Sequence, residues 1–173
     1  MTLGSLCCRL ALALVALLPA LPLAATGQPV EALVVEAEML DGSPYSLADH
    51  KGEVTLISVW SPESLSSRKS IWELQRFAAS AQSRGVYTLA ASTLKEKTAL
   101  RQFIAARKLS LPVAVLGNHS LGNFDEGKLP IVYVFDRDGK LRATHAGLFS
   151  MAVLERLVAP LLTSKVRSCE ATI

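Results

Sequence analysis

Apolar runs alternate with amphipathic stretches along most of this chain, and glycine-marked turns separate them. The tightest run, residues 54–59, is mostly apolar or β-branched, which predicts a strand buried on both faces. It breaks at Trp60-Ser61-Pro62 into a short polar loop. A helical period begins at once: over residues 67–84, Ile71, Leu74, Ala78 and Ala81 recur at three and four positions, with Trp72 and Phe77 widening the stripe, until Gly85 ends it. Residues 86–91 predict a second strand, so a strand, a helix and a parallel strand follow one another at βαβ spacing.

The remaining elements follow the same logic. Residues 28–39 read as an extended lead-in, and Asp41-Gly42 marks a turn, as does 48–52. Ser92 or Thr93 is expected to cap a helix over 94–108, which buries Leu100, Phe103 and Ile104. Residues 111–116 predict an edge strand because Pro112 lies near its start, and 117–127 is a polar connection. Strand 131–135, the turn Asp136-Arg137-Asp138-Gly139 and the return 140–145 form a hairpin. Ser150 is expected to cap a last helix to residue 162, with Leu154, Leu157, Val158 and Leu161 as its apolar stripe.

Composition changes the picture at the two ends. Arg9, the apolar run 10–18, two prolines and Ala24-Ala25 read as a secretory signal peptide over 1–25, cleaved after Ala25. The alternative is an uncleaved anchor, which two prolines and an apolar stretch of under about 20 residues disfavour. The domain then spans 26–163, with a polar tail over 164–173. Without the leader the formal charge of +3 drops to +2, and no basic run tracks phosphates, so no nucleic-acid partner is expected. Cys7 and Cys8 leave with the leader. The single remaining cysteine, Cys169, provides neither a disulfide nor a dithiol within the chain.

The order β-α-β, helix, β-β-α resembles the thioredoxin fold, and several pieces are similar to exported TlpA/ResA/DsbE-type redoxins. Leu40-Asp41-Gly42, Ser46-Leu47 and Lys51-Gly52 resemble that group's entry segment, and residues 54–60 resemble its strand ending in Phe-Trp-Ala. Leu129-Pro130 followed by residues 134–140 resembles its cis-proline segment and hairpin, and His145-Ala146-Gly147 the close of the next strand. The likeness covers roughly residues 33–162. It implies an α/β, thioredoxin-like three-layer sandwich, a central mixed sheet flanked by helices, in an exported, periplasmic protein.

The same resemblance exposes a departure. Against the family's Trp-Ala-x-Trp-Cys-x-x-Cys-Arg stand Trp60-Ser61-Pro62-Glu63-Ser64-Leu65-Ser66-Ser67-Arg68, so Ser64 and Ser67 occupy the positions of the attacking and resolving cysteines. Hydroxyls form no disulfide, and a helix dipole worth about 1 kcal/mol does not make them thiolate substitutes. Ser58 stands where thioredoxins place a buried carboxylate.

These residues lead to an expected protein without dithiol activity that binds another envelope protein or an extended peptide. Its groove would comprise Trp60, Glu63, Ser64, Leu65, Ser66, Ser67, Arg68, Leu129 and Pro130, with the backbone at Leu129 as a ready edge. Glu63 and Arg68 are read as a screened surface pair. The rival is thiol-disulfide exchange through Cys169 or a partner's thiols. A serine hydrolase built on Ser64, Ser66 or Ser67 with His50, His119 or His145 lacks a Gly-x-Ser-x-Gly elbow, and serines at a helix start are ordinarily caps. No cofactor and no metal are expected, the three histidines being widely spaced; membrane contact is expected only if the leader is retained.

Overall fold

The structure is a computed structural model that describes residues 33–163. The expected leader over 1–25 and the tail over 164–173 lie outside the described residues. Its core is a seven-stranded mixed sheet. In chain order the elements are β1 (Val35–Met39), β2 (Pro44–Ser46), β3 (Val54–Trp60), α1 (Leu65–Ala81), β4 (Val86–Ser92), α2 (Lys97–Arg107), β5 (Val113–His119), β6 (Ile131–Phe135), β7 (Leu141–Ala146) and α3 (Met151–Thr163). The strands lie in the order β2-β1-β5-β4-β3-β6-β7. β3, β4 and β5 run parallel, β6 and β7 return antiparallel on one side, and the β1–β2 hairpin adds to β5 on the other.

Burial explains the strand assignments. All seven residues of β3 are buried, because it is an interior strand between β4 and β6 with side chains alternating between two cores. Val54, Leu56 and Trp60 join one core; Ile57 and Val59 join the other. The first core takes Ile71, Leu74 and Phe77 from α1, Leu100 from α2, and Leu154 and Val158 from α3. No α-helical residue belongs to the second among the described residues. There Tyr45 and Leu47 pack from the 44–50 segment, and Leu121 and Phe124 from the connection between β5 and β6. The three α-helices therefore serve one face of the sheet.

Several boundaries depart from the expectation. Trp72 is 43% exposed and points away from the stripe that Ile71 and Leu74 bury. The segment 48–52 is one 3-10 turn (Leu47–His50) before a glycine bend. Neither Ser92 nor Thr93 caps α2. Glu96 does, its carboxylate accepting the Thr98 N–H, while the buried Ser92 hydroxyl accepts the Leu94 N–H. β5 is an interior strand running on to His119, so the polar connection is shorter than expected. Pro112 precedes the strand and costs it no ladder bond, its carbonyl instead accepting from Ala90 N–H. Gly117 marks the crowding of β5 against β1: a Cβ there would sit 3.0 Å from the Glu36 carbonyl oxygen.

The last helix is anchored from α1. Glu73 Oε2 accepts the Met151 N–H at 3.0 Å, so the cap comes from another helix, and Ser150 supplies only backbone acceptors for Val153 and Leu154. One turn earlier the buried Ser70 hydroxyl accepts the Phe149 N–H at 3.2 Å. At the far end Arg84 forms a two-pronged pair with Glu155, at 2.8 and 2.7 Å.

Candidate functional site

The turn between β3 and α1 is built from its own hydroxyls. Ser64 has extended backbone angles and caps α1, its Oγ accepting the Ser67 N–H at 3.3 Å. Ser67 is buried, and its Oγ accepts the Ser61 N–H at 3.3 Å. Ser61 in turn accepts the Glu63 N–H. The loop thus binds its own donors through three serine oxygens, and the two positions aligned with cysteines sit one at the helix cap and one inside its first turn.

Leu129 and Pro130 face this turn, as the sequence led us to expect. The bond between them is cis, and the Ser64 hydroxyl donates to the Leu129 carbonyl at 3.2 Å. The backbone at Leu129 is nonetheless no open edge. Its N–H donates to the Glu126 carbonyl and its C=O is taken by Ser64, while the Pro130 carbonyl accepts the Gly147 N–H at 2.8 Å. Both Leu129 and Pro130 are buried.

Other expected members of the groove divide into buried and accessible. Trp60 is 1% exposed, its ring tilted at 50° to Phe103 with ring centres 5.4 Å apart, and belongs to the core instead of a groove wall. Its Nε1 has no hydrogen-bond partner among the described residues. Ser58 is likewise buried within β3. Arg68 does not pair with the Glu63 carboxylate; its guanidinium donates to the carbonyls of Pro62 and Glu63, at 3.0 and 3.2 Å, and locks the loop. Glu63 and Leu65 are exposed, and Ser64 and Ser66 are half-buried. These residues border a cleft of about 290 Å³ with Glu126, Gly127 and the backbone of Leu129 on its opposite side.

Sequence reasoning missed the apolar surface beside that cleft. Among the described residues five large hydrophobic side chains are exposed; of these Leu65 lines the cleft, Trp72 lies two turns further along α1, and Leu148 follows Gly147, whose N–H the Pro130 carbonyl holds. Leu65 and Trp72 are seven residues apart and share one helix side. Leu148 precedes the Phe149 N–H that Ser70 holds and follows the Gly147 N–H that Pro130 holds, so it lies between α1 and the proline segment. The only signal for Trp72 was its place one residue beyond Ile71, on the margin of the stripe.

The histidines do not assemble with the serines. His50 stacks on Tyr87, ring centres 3.9 Å apart, and contacts Glu53; His119 packs against Phe124; His145 contacts the Leu148 carbonyl. No group of three or more His, Cys, Asp or Glu that can hold a metal ion occurs among the described residues. Met39 and Met151 pack against the two cores.

Cys169 lies outside the described residues, beyond the end of α3. Arg137 donates to the Leu161 carbonyl, and Gly52 N–H donates to the Arg137 carbonyl, so this end lies at the start of β3, whereas Ser64 follows its finish. The six steps between the ends of β3 span about 20 Å. Cys169 is six residues past Thr163, a reach of about 20 Å fully extended.

No protein-family model matches the chain. Among curated proteins it is similar to the thiol-disulfide oxidoreductase ResA of Bacillus cereus (strain ZK / E33L) and of Bacillus anthracis, each 25% identical over 103 residues. That alignment covers 59% of this chain and 60% of each relative's length. Among solved structures, the secreted thiol-disulfide isomerase from Corynebacterium glutamicum superposes with TM-score 0.66 at 16% identity, over 75% of this chain and 84% of that one. StoA from Bacillus subtilis superposes with TM-score 0.57 at 18% identity, over 72% and 96%. A putative thiol:disulfide interchange protein DsbE from Chlorobium tepidum superposes with TM-score 0.62 at 20%, over 76% and 94%. The chain has a thioredoxin-like fold, and its likeness is to redoxins of the ResA and DsbE kind. No helix among the described residues is long and apolar enough to cross a membrane.

Proposed function

We propose that this chain, a thioredoxin fold similar to thiol-disulfide redoxins, is an exported binding protein that does no dithiol chemistry and engages another protein at the α1 end of the sheet. What supports the reading is that Ser64 and Ser67, which the resemblance sets at the positions of the reactive cysteines, carry hydroxyls already committed to the loop and to Leu129, beside the exposed Leu65. A reactive site needs a free nucleophile; a docking site needs apolar surface. The docking surface is Leu65 at the cleft and Leu148 beside the proline segment, with Ser66 and Glu63 supplying polar contacts.

The names of the relatives favour a second reading, thiol-disulfide exchange through Cys169 or with a partner's thiols. Insulin reduction by dithiothreitol, followed with and without the mature protein, separates the two. We expect the rate of buffer alone, unchanged by Cys169→Ser. Acceleration that Cys169→Ser abolishes would establish the oxidoreductase reading.

A further inference from the structure

The cleft beside Ser64 has a chemical bias that the docking role leaves open. Its two charged lining residues are both acidic: Glu63 on the turn before α1 and Glu126 on the segment before Pro130, one on each side. Both are exposed, and neither has an ion-pair partner among the described residues. The cations nearest in sequence are already engaged. Arg68 is turned into the Pro62 and Glu63 carbonyls, and Lys128 lies 3.7 Å from Asp125.

The remaining lining adds an acceptor and apolar contact. The half-buried Ser66 hydroxyl can accept, and Leu65 is 58% exposed at the rim. An occupant that carries hydrogen-bond donors and positive charge, flanked by apolar side chains, matches this surface. An acidic occupant would set a carboxylate between two carboxylates, and the cleft gives it no cation in return.

We infer that the partner presents a cationic segment, a lysine or arginine between apolar residues, whose charged head lies between Glu63 and Glu126 while its neighbours cover Leu65 and Leu148. This deepens the docking role and rests on it. The Glu63 and Glu126 carboxylates act as a pair of lips around one cation, and the apolar rim supplies area that the charges do not.

The test is a selection on the immobilised mature protein from a displayed library of random octapeptides. The best selected peptide is then resynthesised with each Lys or Arg replaced by Glu, and both are titrated by fluorescence anisotropy. Enrichment of Lys or Arg beside apolar residues is expected. Binding should weaken about three- to tenfold in Glu63→Gln/Glu126→Gln, and also in salt near 0.5 M, where screening shortens to a few ångströms. Both variants change exposed side chains, and an unchanged urea midpoint verifies their fold. Selected peptides that bind through Leu65 and Leu148 but show no basic preference would overturn the cationic assignment and leave the docking role standing. A library with no enrichment, or with binding indifferent to Leu65→Ala/Leu148→Ser, would overturn both.

Discussion

At the scale of single residues, sulfur and oxygen part company at Ser64 and Ser67. The helix cap that stabilises a thiolate in a redox-active thioredoxin is present here: the Ser67 N–H points at the side chain of residue 64 from 3.3 Å. What is missing is an ionisable group to receive it. We therefore expect Ser64→Cys/Ser67→Cys to acquire dithiol activity that neither single variant has, measured as insulin reduction and as a reversible disulfide by mass spectrometry. A double variant that folds yet never forms the disulfide would mean that the turn has drifted from redox geometry as well as redox chemistry. The sequence carried this much of the site: that residue 64 caps a helix, and that Leu129 and Pro130 face it. It did not carry the state of the Leu129 backbone, because a hydrogen bond between residues 65 apart leaves no trace in local pattern.

Elements show the same division between local and distant causes. β3, β4 and β6 were legible because a strand buried on both faces is a continuous apolar run, and α1 because its stripe repeats at helical spacing. β5 was misplaced at an edge because Pro112 reads as an edge signal, while its pairing with β1 joins residues some 80 positions apart. The start of α3 was misassigned for a related reason, since its donors are held by Ser70 and Glu73 of α1. These two acceptors differ in exposure, and that sets their value. Ser70→Ala leaves a buried N–H without a partner, costing about 1–3 kcal/mol, whereas Glu73→Ala frees an end that water reaches, costing about 1 kcal/mol. Urea unfolding of the two variants at pH 7 should rank them in that order. Equal costs would mean that the Phe149 N–H finds another acceptor when the hydroxyl is gone.

For the molecule as a whole, the ionisable groups that folding perturbs define a stability plateau with two limbs. Hydrogen bonds from Arg84 hold the Glu155 carboxyl below its ordinary value. For Asp136 burial pushes upward, but the Lys140 N–H, Arg142 and the Asp138 N–H outweigh it, and the value is lowered. Each carboxyl therefore contributes stability that is complete above the unfolded value near about 4 and is lost as pH falls through the lower folded value. Tyr45 lies at the other limb. Burial, then the charges of Tyr87, Asp49 and Glu53, raise its phenol well above the ordinary range. The unfolded phenol ionises near about 10 while the folded one stays neutral, so its stability is present below about pH 10 and declines as pH rises beyond it. The Tyr45 hydroxyl is also buried without a hydrogen-bond partner among the described residues. Tyr45→Phe should thus be neutral or stabilising at pH 7. Keeping no group to ionise, it should also unfold less readily than wild type above pH 10. Asp136→Asn/Glu155→Gln should flatten the acid limb alone. Urea midpoints of the three proteins between pH 2 and 11 separate these effects, and an alkaline limb unchanged by Tyr45→Phe would move its origin to Tyr87 and Tyr133, whose phenols burial also raises.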